Sequence, residues 1–197
     1  IKGNFYLRAF FGGTVDADPG PGNFSLTDSG SGDDHLNLKL NTDGNFVWAK
    51  YTGRSTVSYG ALFFGGMEVD AQEQVYMSTQ VIGKYDFDPG PGVRMVEAHI
   101  NDILVQKLDS LGNLVWLDQF DSSLETVLDL KLDAEANCYV TGYVTDSIDM
   151  DPGPAQVIAP DNRGGSYDCY ILKLDSAGAF GWVVRYGGEG GEWGVFV

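Results

Sequence analysis

The residues with the clearest chemical potential are pairs of Asp two positions apart, each pair followed by Pro and Gly. Ca²⁺ binds about six to eight oxygen ligands, and each of these loops offers two carboxylates besides backbone carbonyls. Alternate side chains of an extended segment point the same way, so both carboxylates would share one side of the chain. The pattern predicts calcium sites, and calcium is the one cofactor that the sequence suggests. The six predicted ligands are Asp16, Asp18, Asp86, Asp88, Asp149 and Asp151.

The same loops also have a purely structural explanation. Pro presets φ for a turn, Gly adopts positive φ, and Asp side chains accept hydrogen bonds from free backbone N–H groups. This explanation accounts for the recurrence of Pro and Gly as well as Asp. The loops also lack the Asp-x-Asp-x-Asp-Gly order of an EF-hand. Both interpretations stay open at this stage.

Other candidate groups give weaker signals. An acid recurs five residues before a repeated Lys, at Asp34, Asp102 and Asp168, where a cap or turn is the expected role. No Ser-His-Asp order or zinc-type cluster stands out, because the chain has only two His and two Cys. We therefore predict no catalytic residues. An enzyme would have to use scattered carboxylates, which are Glu68, Glu97 and Glu125.

Several landmarks recur in the same order and define a repeat of about 66 residues. A Tyr is followed by the Asp-Pro-Gly loop, then a Lys-Leu pair, a Gly five residues after the Lys, and a Trp four residues after the Gly. We place the repeats at about 1–70, 71–133 and 134–197 of a single segment, 1–197. The landmark residues are Tyr6, Tyr76 and Tyr139; Lys39, Lys107 and Lys173; Gly44, Gly112 and Gly178; and Trp48, Trp116 and Trp182.

Each repeat contains four segments with the composition and alternation of β-strands. Four antiparallel strands at this period predict an all-β fold built of β-propeller blades, with the repeated Trp, Tyr and Leu packed between neighbours. We expect the Lys stems to pack on the sheet with their charged tips in water. Propellers have about four to eight blades, so three repeats need further blades of the same chain, or other copies, to close a ring. The segment 193–197 resembles the first strand of a next unit, which favours an excerpt of a longer propeller.

Three strings of the second and third repeats carry a family resemblance. The residues 86–92, 107–116 and 130–142 resemble the SBBP-type β-propeller repeat, which is common in large secreted and cell-surface proteins of bacteria, notably Bacteroidetes. The resemblance implies a secreted or cell-surface location, with type IX secretion as the export route. Two departures predict local irregularity, because Gly65 and Gly66 lie inside a strand and Gln80 replaces the usual Gly after another.

The net charge of the chain argues against one class of binding partner. The chain has 12 Lys and Arg against 28 Asp and Glu, a net charge of −16 that disfavours nucleic acid. No apolar run reaches the ~18–20 residues of a membrane span. The sequence predicts a non-catalytic extracellular module for binding, display or assembly, with a protein or glycan partner. The alternatives are a glycan-active or quinoprotein-like enzyme with its site on the ring axis, and the ordered part of a substrate or partner of a bacterial secretion machine.

Overall fold

The computed structural model describes residues 3–28, 34–121, 126–145, 147–159 and 167–188. All regular structure in these ranges is β-strand, which confirms the predicted fold class. The segment 193–197 lies outside the described residues. The strands are β1 (Phe5–Phe11), β2 (Thr14–Asp16), β3 (Ser25–Thr27), β4 (Asp34–Leu40), β5 (Phe46–Thr52), β6 (Arg54–Val69), β7 (Val75–Asp86), β8 (Met95–Leu108), β9 (Leu114–Phe120), β10 (Thr126–Leu132), β11 (Cys138–Val144), β12 (Ile148–Asp149), β13 (Ile158–Ala159), β14 (Asp168–Leu174) and β15 (Phe180–Tyr186).

The larger sheets have the predicted strand order. The second sheet is β6-β7-β8-β9 and the third is β10-β11-β14-β15, so each contains four strands in chain order. The first sheet, β1-β4-β5, holds the equivalents of the last three strands. The pairings with a described register are antiparallel throughout. Two small hairpins, β2-β3 and β12-β13, project between the second and third strands of their repeats.

The chain divides into two compact units, each with its own core. One consists of Ile1–Leu62, Gly83–Glu97 and Leu111–Asn113; the other consists of Phe63–Ile82, Ala98–Ser110 and Leu114–Val197. The core of the first unit centres on Leu36, Leu38 and Ala49. A buried cluster of the second unit includes Tyr76, Phe120, Leu130, Val140 and Leu172. The proposed repeat boundaries stay a prediction.

The short turns at 41–45, 70–74, 133–137 and 175–179 share one geometry. At Asp70, the backbone N–H donates to the carbonyl of Gln74 (3.0 Å), and the Asp70 carboxylate accepts from the N–H groups of Gln72 and Gln74 (2.9 Å each). The fourth residue, Glu73, has φ 63°. Such three-residue hairpin loops require a left-handed residue followed by a bulge.

The sequence signals this geometry in only one class of turn. Between the third and fourth strands the left-handed residue is Gly44, Gly112 or Gly178, as the repeated Gly predicted. Between the first and second strands it is Glu73 or Ala136, which carry no such signal. These two residues bear the steric cost that glycine avoids.

The departure at Gly65 and Gly66 has a physical reason. Strand β6 continues through both residues. A Cβ on Gly66 would overlap the backbone nitrogen of Leu130, and a Cβ on Gly65 would overlap the Ser78 hydroxyl. The glycines therefore let strand β6 approach strand β10 closely, and the predicted irregularity does not interrupt the strand.

The turn geometry leads to a stability prediction. Ala136→Gly relieves a left-handed alanine, and we expect the free energy of unfolding to rise by about 0.5–1 kcal/mol, since part of the relief is lost to the entropy of the unfolded chain. Gly44→Ala is the matched reverse change, because a Cβ there meets no described atom within 4 Å, and it should lower stability by about 1 kcal/mol. Urea unfolding measures both changes, and a destabilised Ala136→Gly variant would contradict the steric cost assigned to the left-handed Ala136.

Candidate functional site

The first Asp-Pro-Gly loop is closed by its own carboxylates. Asp16 Oδ1 accepts hydrogen bonds from the N–H groups of Asp18 (3.1 Å) and Phe24 (2.9 Å). Asp18 Oδ1 accepts from the N–H of Gly20 (2.8 Å). The hydrogen bond from Phe24, and after it the bond from Asp18, hold the pKa of Asp16 below its ordinary value. The two Asp side chains therefore serve as acceptors for a turn that has few backbone partners.

The other two loops repeat this arrangement. Asp86 Oδ1 accepts from the N–H groups of Asp88 (3.0 Å) and Arg94 (2.8 Å), while Asp88 Oδ1 accepts from Gly90 (2.7 Å). The Asp149 loop has the same three bonds, donated by the N–H groups of Asp151, Val157 and Gly153. The structural explanation of the repeated Asp, Pro and Gly is thus realised in every copy.

The second loop also binds a cationic side chain. Arg54, at the start of β6, donates from its guanidinium to the carbonyl oxygens of Asp88 (3.2 Å) and Gly90 (3.1 Å). The equivalent carbonyls, those of Asp18 and Gly20 in the first loop, accept no side-chain hydrogen bond from any residue that the structure describes. Loops with the same sequence pattern therefore differ in the side-chain hydrogen bonds that their backbone carbonyls accept.

These loops offer a small donor set to calcium. No group of three or more His, Cys, Asp or Glu converges within the described ranges. Each loop supplies two carboxylates, whose Oδ1 atoms already accept backbone N–H groups, and in the second loop Arg54 binds carbonyls that a calcium ion would need. Calcium binding stays a prediction, and the first and third loops suit it better than the second.

The repeated acids at the start of the third strands are buried and tie that strand to the fourth. The carboxylate of Asp102 accepts from Gln119 Nε2 (2.6 Å), and that of Asp168 accepts from Arg185 Nε (2.8 Å) in a buried ion pair. Asp34 accepts from the Tyr51 hydroxyl. The expected role as a cap or turn former holds for Asp34, which also accepts the N–H of Ser55 beside the turn at Gly53 (3.3 Å), while Asp102 and Asp168 accept cross-strand side-chain bonds instead.

A ladder of Tyr, Lys and Trp crosses each sheet. The register places Tyr6 opposite Lys39, and Lys39 opposite Trp48. The ammonium group of Lys39 lies 5.4 Å from the centroid of the Tyr6 ring, and the Tyr6 and Trp48 rings meet edge to face at 6.3 Å. The second ladder is Tyr76, Lys107 and Trp116, and the third is Tyr139, Lys173 and Trp182.

The lysines of these ladders correct one expectation. Lys39 and Lys107 are buried, so their ammonium groups do not project into water as expected, whereas Lys173 is half-buried and agrees with the expectation. Burial lowers the pKa of Lys107, against opposing effects of Asp70 and Asp175. A cation over an aromatic face recovers part of the lost hydration, by about 1–2 kcal/mol when desolvated.

Trp48 and Trp116 each dock on the glycine turn of the following repeat. Trp116 Nε1 and Lys107 Nζ both donate to the carbonyl oxygen of Ser176, at 3.3 and 2.9 Å. A Cβ on Gly178 would lie only 3.1 Å from Cδ2 of Trp116, so the bare glycine backbone lies against the indole. Gly112 lies against Trp48 in the same way, at 3.3 Å. The predicted packing role is confirmed for Trp48 and Trp116, whereas Trp182 is exposed.

The carboxylates that an enzyme would use are engaged elsewhere. Glu68 pairs with Lys131 at 2.6 Å, and Glu97 pairs with Lys84 at 2.8 Å. Glu125 lies outside the described residues.

Two open clefts lie in the second unit. One of about 300 Å³ is lined by the turns 70–72 and 133–136. The other, of about 440 Å³, is lined by Asp118, the third Asp-Pro-Gly loop at 151–154 and the turn 177–180. The second cleft places a loop from the calcium prediction beside a Trp-docking turn.

Sequence reasoning missed a buried basic pair in the first unit. His35 is fully buried on β4, with its Nδ1 3.4 Å from a terminal nitrogen of Arg8. Burial and then the charge of Arg8 hold the pKa of His35 well below its ordinary value, while burial lowers the pKa of Arg8 to about 9. Neither residue recurs in the other repeats, so no pattern announced their contact.

Comparison with known proteins gives one limited match. No family model matches the chain. An uncharacterized WD repeat-containing protein of Acanthamoeba polyphaga mimivirus is 22% identical over 169 residues, which cover 73% of this chain and 12% of the viral protein. WD repeats are four-stranded propeller blades, and two of the sheets described above are likewise four-stranded and antiparallel. The repeats are β-propeller-like. The more specific SBBP-type resemblance stays a prediction, and none of the described residues lies in a helix long and apolar enough to span a membrane.

The docked tryptophan leads to a prediction on stability. Trp116→Ala should lower the free energy of unfolding by about 3–5 kcal/mol, because it empties the contact between two repeats. Trp182→Ala is the matched control: its indole is 41% exposed, and the cost should be well below that of Trp116→Ala. Chemical denaturation of the two variants compares them, and equal losses would argue against docking.

The loop carboxylates lead to a second prediction. Asp86→Ala removes the acceptor of two backbone N–H groups and should cost about 1–3 kcal/mol. Asp86→Asn keeps an oxygen at this position and should cost less than half as much. Both unfolding curves are measured in chelator, so that a difference between the variants reports the turn and not a metal. Equal losses would contradict the capping role.

The buried histidine leads to a pH prediction. The pKa of His35 is lowered in the folded state. When the pH falls below the ordinary value of about 6.5, His35 therefore takes up a proton in the unfolded chain while it stays neutral in the folded chain. Stability is therefore complete above that pH and falls by roughly 1.4 kcal/mol per pH unit below it. His35→Ile places there the residue that the second repeat carries, Ile103. The slope between pH 7 and 5.5 should then largely vanish, and an unchanged slope would refute the assignment.

Proposed function

We propose that this chain is a non-catalytic β-propeller module that serves binding, display or assembly in a secreted or cell-surface bacterial protein. One observation supports the non-catalytic part most strongly. The repeated acids, lysines and tryptophans of the described residues make contacts within the fold. The loop acids close turns, the strand acids join strands, and the first two Lys and Trp ladders contact the turn of the next repeat. The repeated chemistry is therefore used for architecture.

The comparison supports the coarser part of this proposal. The viral relative is a WD repeat-containing protein, and repeats of that kind form propellers. The match covers only 12% of that protein, so the role of the whole viral protein is not carried over to this chain. The secreted or surface location, the bacterial source and type IX secretion rest on the SBBP-type resemblance alone.

A direct assay separates binding from turnover. The purified chain is incubated with a panel of neutral, basic and acidic polysaccharides and with cell-surface proteins, while bound fraction and released sugar are both measured. We expect saturable binding without product, and we expect it for neutral or basic partners, because a net charge of −16 repels acidic ones. Released sugar, or a redox cofactor absorbance in the purified protein, would instead favour an enzyme.

Calcium stabilisation belongs to the same proposal. Paired carboxylates in three similar loops support it, and Arg54 makes the second loop the least suitable. At ten times the dissociation constant, calcium should add about 1.4 kcal/mol of stability and raise the melting temperature accordingly. The double variant Asp16→Asn with Asp18→Asn should lose part of the rise, and Asp86→Asn with Asp88→Asn should lose less. Identical melting in chelator and in 10 mM calcium, on the order of the weakest extracellular sites, would remove calcium from the proposal.

A further inference from the structure

The second Asp-Pro-Gly loop shows which kind of group such a loop binds. One terminal nitrogen of Arg54 donates hydrogen bonds to the carbonyl oxygens of both Asp88 and Gly90, at 3.2 and 3.1 Å. The guanidinium also lies over the ring of Tyr51, 5.3 Å from its centroid. The backbone of this loop therefore receives a planar cation, and the chain itself supplies that cation.

The third loop has the same arrangement without such a cation. Its three carboxylate hydrogen bonds measure 3.1, 2.7 and 2.9 Å, against 3.0, 2.7 and 2.8 Å for their equivalents in the second loop. The carbonyls equivalent to those that Arg54 binds belong to Asp151 and Gly153. Within the described ranges these two carbonyls accept no side-chain hydrogen bond. A loop that matches the second one therefore presents the same acceptors to solvent.

Two cations of the first repeat have no counterpart in the second. Lys50 and Arg54 follow the Trp of the first repeat by two and six residues, and the same positions of the second repeat hold Asp118 and Ser122. Lys50 and Asp118 are placed alike. A Cβ built on the turn glycine of the next repeat would lie 2.8 Å from Cγ of Lys50 in one case and 2.8 Å from Oδ2 of Asp118 in the other. A carboxylate therefore stands beside the third loop where a lysine stands beside the second.

The third loop borders the cleft of about 440 Å³ described above, which we call the Asp118 cleft. Asp118, the loop 151–154 and the turn 177–180 line it, and all of them belong to the second compact unit. Asp118 and Asp151 contribute carboxylates, while Phe180 and the two prolines of the loop contribute apolar walls. The volume lies in the range of roughly 300–1,000 Å³ that is typical of sites for small groups. A cation with an apolar stem suits this lining.

We infer that the Asp118 cleft binds a guanidinium group, and that this group is an arginine side chain of a partner protein. The carbonyls of Asp151 and Gly153 accept hydrogen bonds from the partner's guanidinium, as the equivalent carbonyls of the second loop accept them from Arg54. The carboxylate of Asp118 supplies the negative charge. This inference rests on the proposed role in binding and names the chemistry of the partner.

Charge and hydration favour a guanidinium over other cations. The net charge of −16 attracts cations in general. A guanidinium carries five N–H donors in one plane and is more weakly hydrated than an ammonium group, so it can satisfy several oxygens while its faces lie on apolar walls. Calcium needs about six to eight oxygens around one point. Because calcium would compete for the same carbonyls, the arginine experiment is made in the presence of a chelator.

Titration of the full chain with a short peptide that contains one arginine, followed by backbone amide NMR, tests the inference. Matched peptides carry lysine, which keeps the charge, or citrulline, which keeps the shape without the charge. The arginine peptide should bind about tenfold more tightly than the citrulline peptide and about threefold more tightly than the lysine peptide. Equal binding of the arginine and lysine peptides would indicate general attraction to an acidic chain and would overturn the inference. Absence of arginine-peptide binding at millimolar concentration would overturn it as well.

The amide signals locate the site without any variant. The arginine peptide should shift the signals of Gly153 and Gly178, which line the cleft, and should leave that of Gly90 in place, because its loop already holds Arg54. Shifts that leave Gly153 and Gly178 unmoved would place the binding elsewhere and contradict the assignment.

Three variants then test the role of the carboxylate. Asp118→Asn keeps the shape without the charge and should weaken arginine-peptide binding about tenfold. Asp118→Lys places there the cation that the first repeat has at Lys50, and it should abolish the binding. Asp43→Asn is the matched control, because it removes the same charge from an exposed turn that does not line the cleft, and it should bind as the original chain does. Equal losses in Asp43→Asn and Asp118→Asn would contradict a specific site.

The outcome is separable from that of the proposed function. If the arginine peptide fails while a glycan or a protein binds in the panel assay above, the cleft assignment is wrong and the binding role stands. If the panel assay instead shows released sugar, the non-catalytic role is wrong, and the peptide titration still decides whether the cleft binds a guanidinium.

Discussion

A sheet that is apolar on both faces cannot remain alone in water, and this constraint governs the rest of the structure. The described sheets meet it by stacking, and the decisive contact is a Trp indole on the bare backbone of a glycine turn. The indole covers apolar area and donates its N–H to a turn carbonyl, as Trp116 does to Ser176. Because the turn glycine has positive φ and no side chain, one residue type satisfies the hairpin and the neighbour together.

The sheets can stack although they bury charged side chains, because hydrogen bonds and aromatic rings satisfy those charges. Lys107 is buried beside aromatic rings and donates to the same carbonyl as Trp116, so its ammonium group retains partners after losing water. The buried acids at the start of the third strands receive a hydrogen bond from the fourth strand, and the loop acids receive backbone N–H groups. An unpaired group at any of these places would cost about 1–3 kcal/mol. Recurrence of charged residues in this chain therefore reflects the needs of the fold.

The sequence predicted those features that depend on neighbours close in the chain. Strand alternation, the repeated Trp and the glycine of the turns gave the class, the strand order and the packing layer. It missed features that depend on residues brought together by pairing: the burial of Lys39 needs Tyr6 on one side and Trp48 on the other. Arg54 on the second loop and Arg8 beside His35 occur once each, so repetition could not point to them. Function was the hardest to predict, since the repeated residues are occupied by structural contacts.

The hold of Arg54 on one loop has a kinetic consequence. The first and second Asp-Pro-Gly loops share their sequence pattern and their carboxylate hydrogen bonds. Among the described residues, however, a guanidinium from β6 donates to the carbonyls of the second loop and not to those of the first. Local opening of the second loop must break those extra bonds, whereas the first opens without that step. Amide exchange and proteolytic cleavage should therefore begin at the first loop, so that two copies of one motif in a single chain exchange and are cleaved at different rates.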